Sequence, residues 1–243
     1  MSETEKNQSH SQSRRNFLRN SGIAVGGVIL GGAVGSLIGM KPNSTETSKP
    51  IESHPMADYS EAMLFFTRKE DFDTLAAATE VIFPEDENGP GAIGLGAAFY
   101  IDKQLASPWG QNVDDYRRGP FKDGKIPLLR RDIYLQGIRK INDVSKTRYE
   151  KAFHQLKEEE QIQILQEFES GKIEMVHASS AEFFALLKQT TIEGCFCDPL
   201  YGGNKNLGGW KMKEFPGAYM THVDVIESKT FVNKEPKSLS NHH

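Results

Sequence analysis

Positive charge is what this sequence has too little of. Its 29 Lys and Arg are outnumbered by 33 Asp and Glu, and without the first 40 residues the counts become 25 against 31, a net charge of −6. Phosphate backbones demand a cationic face, so nucleic acid is excluded as a partner. Cysteine is equally scarce, with Cys195 and Cys197 the only two and no C-x-x-C. The histidines are scattered at 10, 54, 154, 177, 222, 242 and 243 without an H-E-x-x-H, so no metal set is signalled. There is no G-x-S-x-G, and neither Glu193 nor Asp198 has a histidine beside it. No catalytic, cofactor-binding or metal residue is assigned, and the chain does not read as a stand-alone enzyme.

Two glycine motifs look chemical and are not. Gly89-Pro90-Gly91-Ala92-Ile93-Gly94 matches G-x-G-x-x-G, but a helical pattern precedes it where a strand is needed. Glu85, Asp86 and Glu87 beside it would also repel a pyrophosphate. After Gly208 a phosphate-binding loop needs Lys, and position 209 is Gly.

What is present begins at the N-terminus. Ser13-Arg14-Arg15-Asn16-Phe17-Leu18-Arg19 precedes residues 22–40, GIAVGGVILGGAVGSLIGM, which carry no charge. Paired arginines, Phe17-Leu18 and a weakly hydrophobic run make a twin-arginine export signal, read by the twin-arginine translocase. Seven of those 19 residues are Gly, which suits a signal core better than a stop-transfer helix, although 19 residues just reach across a bilayer. No A-x-A site follows, so cleavage stays open. The expectation is an exported protein of the cell envelope, periplasmic or on the outer face of the cytoplasmic membrane. The twin-arginine route carries proteins already folded, so a cofactor is expected on this chain or on a companion.

Residues 41–62 read as a polar linker, 63–225 as a helical domain and 226–243 as a polar tail. Thr67-x-x-Glu70 is a capping box before Phe72, Leu75, Ala76, Thr79 and Phe83 on one helical face, stopped by Pro84. Further helices are expected over 94–105, 127–141, 147–156 and 157–168, the last burying Ile162, Leu165 and Phe168. Ser179-x-x-Glu182 opens one more, which buries Phe183, Leu186 and Leu187. The expected class is mainly α, a single helical domain with a long irregular Gly/aromatic C-terminal segment. That segment, 196–218, reads FCDPLYGGNKNLGGWKMKEFPGA and has no period of 2 or 3.6, so neither strand nor helix is expected in it.

Glu193-Gly194-Cys195-Phe196-Cys197-Asp198-Pro199-Leu200-Tyr201-Gly202-Gly203-Asn204, then Gly209-Trp210-Lys211 and Phe215-Pro216-Gly217-Ala218, resembles the signature of the gluconate 2-dehydrogenase subunit 3 family. The resemblance extends over residues 64–218 and departs at Cys197, where Ser is usual, at Glu214, where Gly is common, and beyond Ala218. It implies a small, non-catalytic subunit of a membrane-bound sugar or sugar-acid dehydrogenase. Its implied partner is a flavoprotein of the glucose–methanol–choline type, which holds FAD and is exported with it. A third subunit with haem c is a further implied partner. No cofactor is implied in this chain.

Within the segment, Gly202, Gly203 and Asn204 tolerate positive φ, and Pro199 and Pro216 fix φ. Tyr201, Trp210 and Phe215 are anchors, either for the chain's own core or for a partner. Asp198, Pro199, Tyr201, Gly202, Gly203, Asn204, Trp210, Phe215, Pro216 and Gly217 are the expected partner-binding set. A Cys195–Cys197 disulfide, two buried thiols and one reactive thiol all stay open. The alternative function is a stand-alone envelope redox or small-molecule-binding protein using those cysteines.

Overall fold

A computed structural model describes residues 61–113 and 128–241. Arg14, Arg15, Phe17, Leu18 and the apolar run lie outside the described residues, as do the first residues of the linker. Six helices form among the described residues, and no strand does. They are α1 (Lys69–Ile82), α2 (Ala97–Ala106), α3 (Arg130–Tyr149), α4 (Glu158–Glu169), α5 (Ser180–Phe196) and α6 (Gly208–Met212). None of them is long and apolar enough to cross a membrane.

Helix α5 is the axis of the domain, with α1, α2, α3, α4 and α6 all packed against it. Its buried residues, Ser180, Phe183, Phe184, Leu187, Thr190, Thr191, Gly194 and Cys195, recur at helical spacing as one broad stripe, while Glu182, Ala185, Gln189 and Ile192 on the other face are exposed. Thr190 and Thr191 survive that burial because their hydroxyls donate to the Leu186 and Leu187 carbonyls at 2.9 and 2.7 Å. The buried Tyr134 hydroxyl of α3 meets Thr190 Oγ1, and its ring stands edge-on to Phe183.

Several boundaries differ from the sequence expectation, each for a local reason. Helix α1 starts after Arg68, without the capping box at Thr67, because Glu70 turns away to an ion pair with Lys146 Nζ at 2.5 Å. Helix α2 starts at Ala97 rather than 94, since Gly96 is left-handed at φ 73°. The expected helix over 127–141 runs on to Tyr149, and the one expected over 147–156 is not formed. Glu150 goes left-handed there, and a single 3-10 turn, Phe153–Gln155, follows. The reason is tertiary: Phe153 is fully buried and its N–H donates to Asn142 Oδ1 of α3 at 3.0 Å. On α4 the buried stripe is Ile164, Leu165 and Phe168, with Ile162 only partly covered.

The segment expected to hold no helix contains α6, a turn and a half, and 3-10 turns at Pro199–Tyr201 and Lys205–Leu207. Phe196 itself belongs to α5.

Candidate functional site

The last carbonyls of any α-helix lack intrahelical donors and must find partners outside. At the buried end of α5 the signature segment supplies them. The Cys197 N–H donates to Glu193 O at 2.7 Å, and the Asn204 N–H to Gly194 O at 2.8 Å. Asn204 Nδ2 donates to Cys197 O at 2.8 Å, and Trp210 Nε1 to Phe196 O at 2.7 Å.

Asn204 is the centre of this cap. It is fully buried and left-handed at φ 48°, a conformation Asn tolerates better than most residues. Its Oδ1 accepts the Gly209 N–H at 2.7 Å, so one side-chain amide joins the end of α5 to the start of α6. Gly209 lies so close to α5 that a Cβ there would stand 2.0 Å from Cys195 O. No side chain fits that contact. Trp210 is 7% exposed and stands edge-on to Phe215 at 5.2 Å.

Asp198 performs a similar task one turn away. Its carboxylate accepts the Leu200 N–H at 2.9 Å, the Ser238 hydroxyl at 2.7 Å and the Leu239 N–H at 2.8 Å. The sequence reads residues 226–243 as a plain polar tail, yet 237–239 return to the signature. Lys237 N–H donates to Pro216 O and Ala218 N–H to Lys237 O, with Gly217 left-handed at φ 76° where a Cβ would strike Lys237 O. Pro199 opens the 3-10 turn that Gly202 closes, and Gly203 packs on the Gly194 carbonyl.

The expected partner-binding residues thus divide into two groups. Asp198, Asn204 and Trp210 are buried and bonded within the chain. Tyr201 and Phe215 are half exposed, and Leu200, not singled out from the sequence, is 60% exposed. Three signature side chains hold the loop; three others face outward.

Both thiols are free. Cys195 faces the apolar cluster of Ala92, Leu95 and Ala97, and burial pushes its pKa far up. Cys197 turns the other way, its Sγ 3.6 Å from Gly194 O. Burial raises it to about 11, outweighing the Gly203 N–H that favours the thiolate. Both are therefore protonated at neutral pH and are poor nucleophiles, which weighs against a cysteine-based redox role.

Asp102 lies on the helix that the family resemblance marks through Phe99, Ile101 and Asp102, but its role is not legible in the sequence. Fully buried on α2, it accepts the N–H groups of Leu64, Phe65 and Phe66 at 2.5, 3.1 and 2.8 Å, and so fixes where the chain enters the domain. The one available signal was a lone acid inside the apolar stretch AAFYIDKQLA. Ser238 gave no signal at all.

The same signature carries the comparison with known proteins. No curated protein and no solved structure matches the chain. The family model described as gluconate 2-dehydrogenase subunit 3 matches residues 69–217, which takes in α1 through α6 and ends inside the Phe215–Ala218 turn. With more than half its length matched, and with the helix-capping loop inside that match, the chain belongs to the gluconate 2-dehydrogenase subunit 3 family.

Proposed function

We propose that this chain, a subunit of a dehydrogenase complex by its family, is the non-catalytic small subunit that docks a flavoprotein and escorts it through twin-arginine export. The observation that carries the docking role is the division of the signature. Its buried polar side chains, Asn204 and Asp198, are consumed in capping α5 and anchoring the tail, while Leu200, Tyr201 and Phe215 are turned to solvent. Aromatic and aliphatic side chains on a rigid loop are what the core of a protein interface uses. The proposed partner is a glucose–methanol–choline-type flavoprotein carrying FAD, with a haem c subunit as electron acceptor. The dehydrogenation chemistry and substrate choice belong to the flavoprotein.

The escort role rests on Arg14, Arg15, Phe17 and Leu18 in sequence. Replacing Arg14 and Arg15 by Lys keeps the charge and removes the guanidinium forks. The expected result is that both this chain and the flavoprotein stay in the cytoplasm, with envelope dehydrogenase activity reduced to background. Undiminished export of the flavoprotein with the variant removes the escort role.

A further inference from the structure

Asn88-Gly89 is the only Asn-Gly pair in the sequence, and it sits at the exposed tip of the turn between α1 and α2. A glycine after asparagine leaves the next backbone nitrogen unshielded and able to attack the side-chain amide. The Gly89 nitrogen loses its proton to hydroxide and bonds to Asn88 Cγ, and Nδ2 leaves as ammonia. Water then opens the resulting succinimide at either carbonyl, leaving an aspartyl or an isoaspartyl residue at position 88. The isoaspartyl form carries an extra carbon in the main chain.

Both reacting groups are tied to Asp86. Asn88 Nδ2 donates to its two carboxylate oxygens at 3.1 and 2.9 Å, and the Asn88 N–H donates to Oδ1 at 2.8 Å. A carboxylate only accepts, so it fixes which end of the side-chain amide faces it. The Gly89 N–H donates to Asp86 O and the Asp86 N–H to Gly89 O, both at 3.1 Å. Attack therefore requires the turn to open first. The neighbouring carboxylates of Glu85, Asp86 and Glu87 also disfavour the negative charge that the Gly89 nitrogen must carry.

The turn is fixed at its base and at its tip. At the base, Glu80 of α1 accepts the Glu85 N–H at 3.0 Å and the Ile93 N–H at 2.8 Å. At the tip, Gly89 lies against α6, where a Cβ would stand 2.5 Å from Met212 Sδ. Pro90 touches the other end of that helix, 3.3 Å from where a Gly208 Cβ would be. We propose that Asn88–Gly89 is a site of spontaneous deamidation held shut by Asp86, and that its conversion to the isoaspartyl form loosens α6. A main chain lengthened between a fixed base and the Met212 contact must displace one of them, and Asn204 ties α6 to the end of α5. The signature thus carries a chemical clock in a turn more than 100 positions before it, whatever partner it meets.

The test follows the amide-to-acid mass change at position 88 in the full chain held in mildly alkaline buffer. It compares the folded parent, the parent unfolded in urea and folded Asp86→Ala, whose exposed position should leave melting unchanged. The folded parent is expected to convert at least about 10-fold more slowly than the unfolded chain, the weight of one or two charged hydrogen bonds. Asp86→Ala should recover most of the unfolded rate. Amide hydrogen exchange over 208–212 should be faster in the isoaspartyl fraction than in unmodified protein. Equal rates in the folded and unfolded parent overturn the guard, whatever the variant does. A folded Asp86→Ala chain as slow as the parent overturns the role of Asp86, and unchanged exchange over 208–212 overturns the link to α6.

Discussion

Replacing Asn204 by Ala is expected to destabilise the folded domain by about 3–5 kcal/mol, from two orphaned backbone groups and a left-handed Ala. The groups are Cys197 O and Gly209 N, whose partners are Asn204 Nδ2 and Oδ1. Each is enclosed where the end of α5 meets the start of α6, so water is a poor substitute. For a domain of this size the melting temperature should fall by roughly 10–15 °C. Asn204→Gly separates the causes. Gly accepts φ 48° without strain, so the difference between the Ala and Gly variants, about 1 kcal/mol, measures the backbone contribution. A melting temperature within about 2 °C of the parent in Asn204→Ala would show that the cap is not what holds the loop.

The second large effect is at Trp210. From sequence alone this residue is expected in the partner-binding set, with the chain's own core as the alternative. Its burial, its bond to Phe196 O and its packing on Phe215 and Gly217 assign it to the core. Trp210→Ala should therefore cost about 3–5 kcal/mol in denaturant unfolding of the chain by itself, with no partner present. Trp210→Phe keeps most of the ring and loses the Nε1 donor, for about 1–2 kcal/mol. A Trp210→Ala chain as stable as the parent that fails only in partner binding would return this side chain to the interface.

Much of the fold was legible because helical faces announce themselves by spacing. Phe72, Leu75 and Thr79 are buried on α1 as their period requires, and so are Leu165 and Phe168 on α4 and Phe183 and Leu187 on α5. What local pattern missed was decided by distant partners. Lys146 takes Glu70 out of its capping box, and Asn142 holds Phe153 in a turn where a helix was expected. The segment 196–218 looked irregular because its order is not periodic. It is organised by the carbonyls at the end of α5, and a helix end leaves no period in the residues that cap it. Its glycines and Asn204 were recognisable as backbone devices, but which aromatics face inward was not. Trp210 and Phe215 are five residues apart, and only the fold distinguishes the buried ring from the exposed one. The anchoring of Asp198 by Ser238, 40 positions away, was out of reach of any local pattern.

The central claim is that the signature holds itself together with Asp198, Asn204 and Trp210 and docks a dehydrogenase subunit with Leu200, Tyr201 and Phe215. Its most direct test is the affinity of the full chain for the purified flavoprotein, parent against Leu200→Asp/Tyr201→Asp. The account predicts a melting temperature within about 2 °C of the parent, since both side chains are half exposed or more, and binding weaker by at least about 30-fold. Unchanged affinity in that double variant would contradict it.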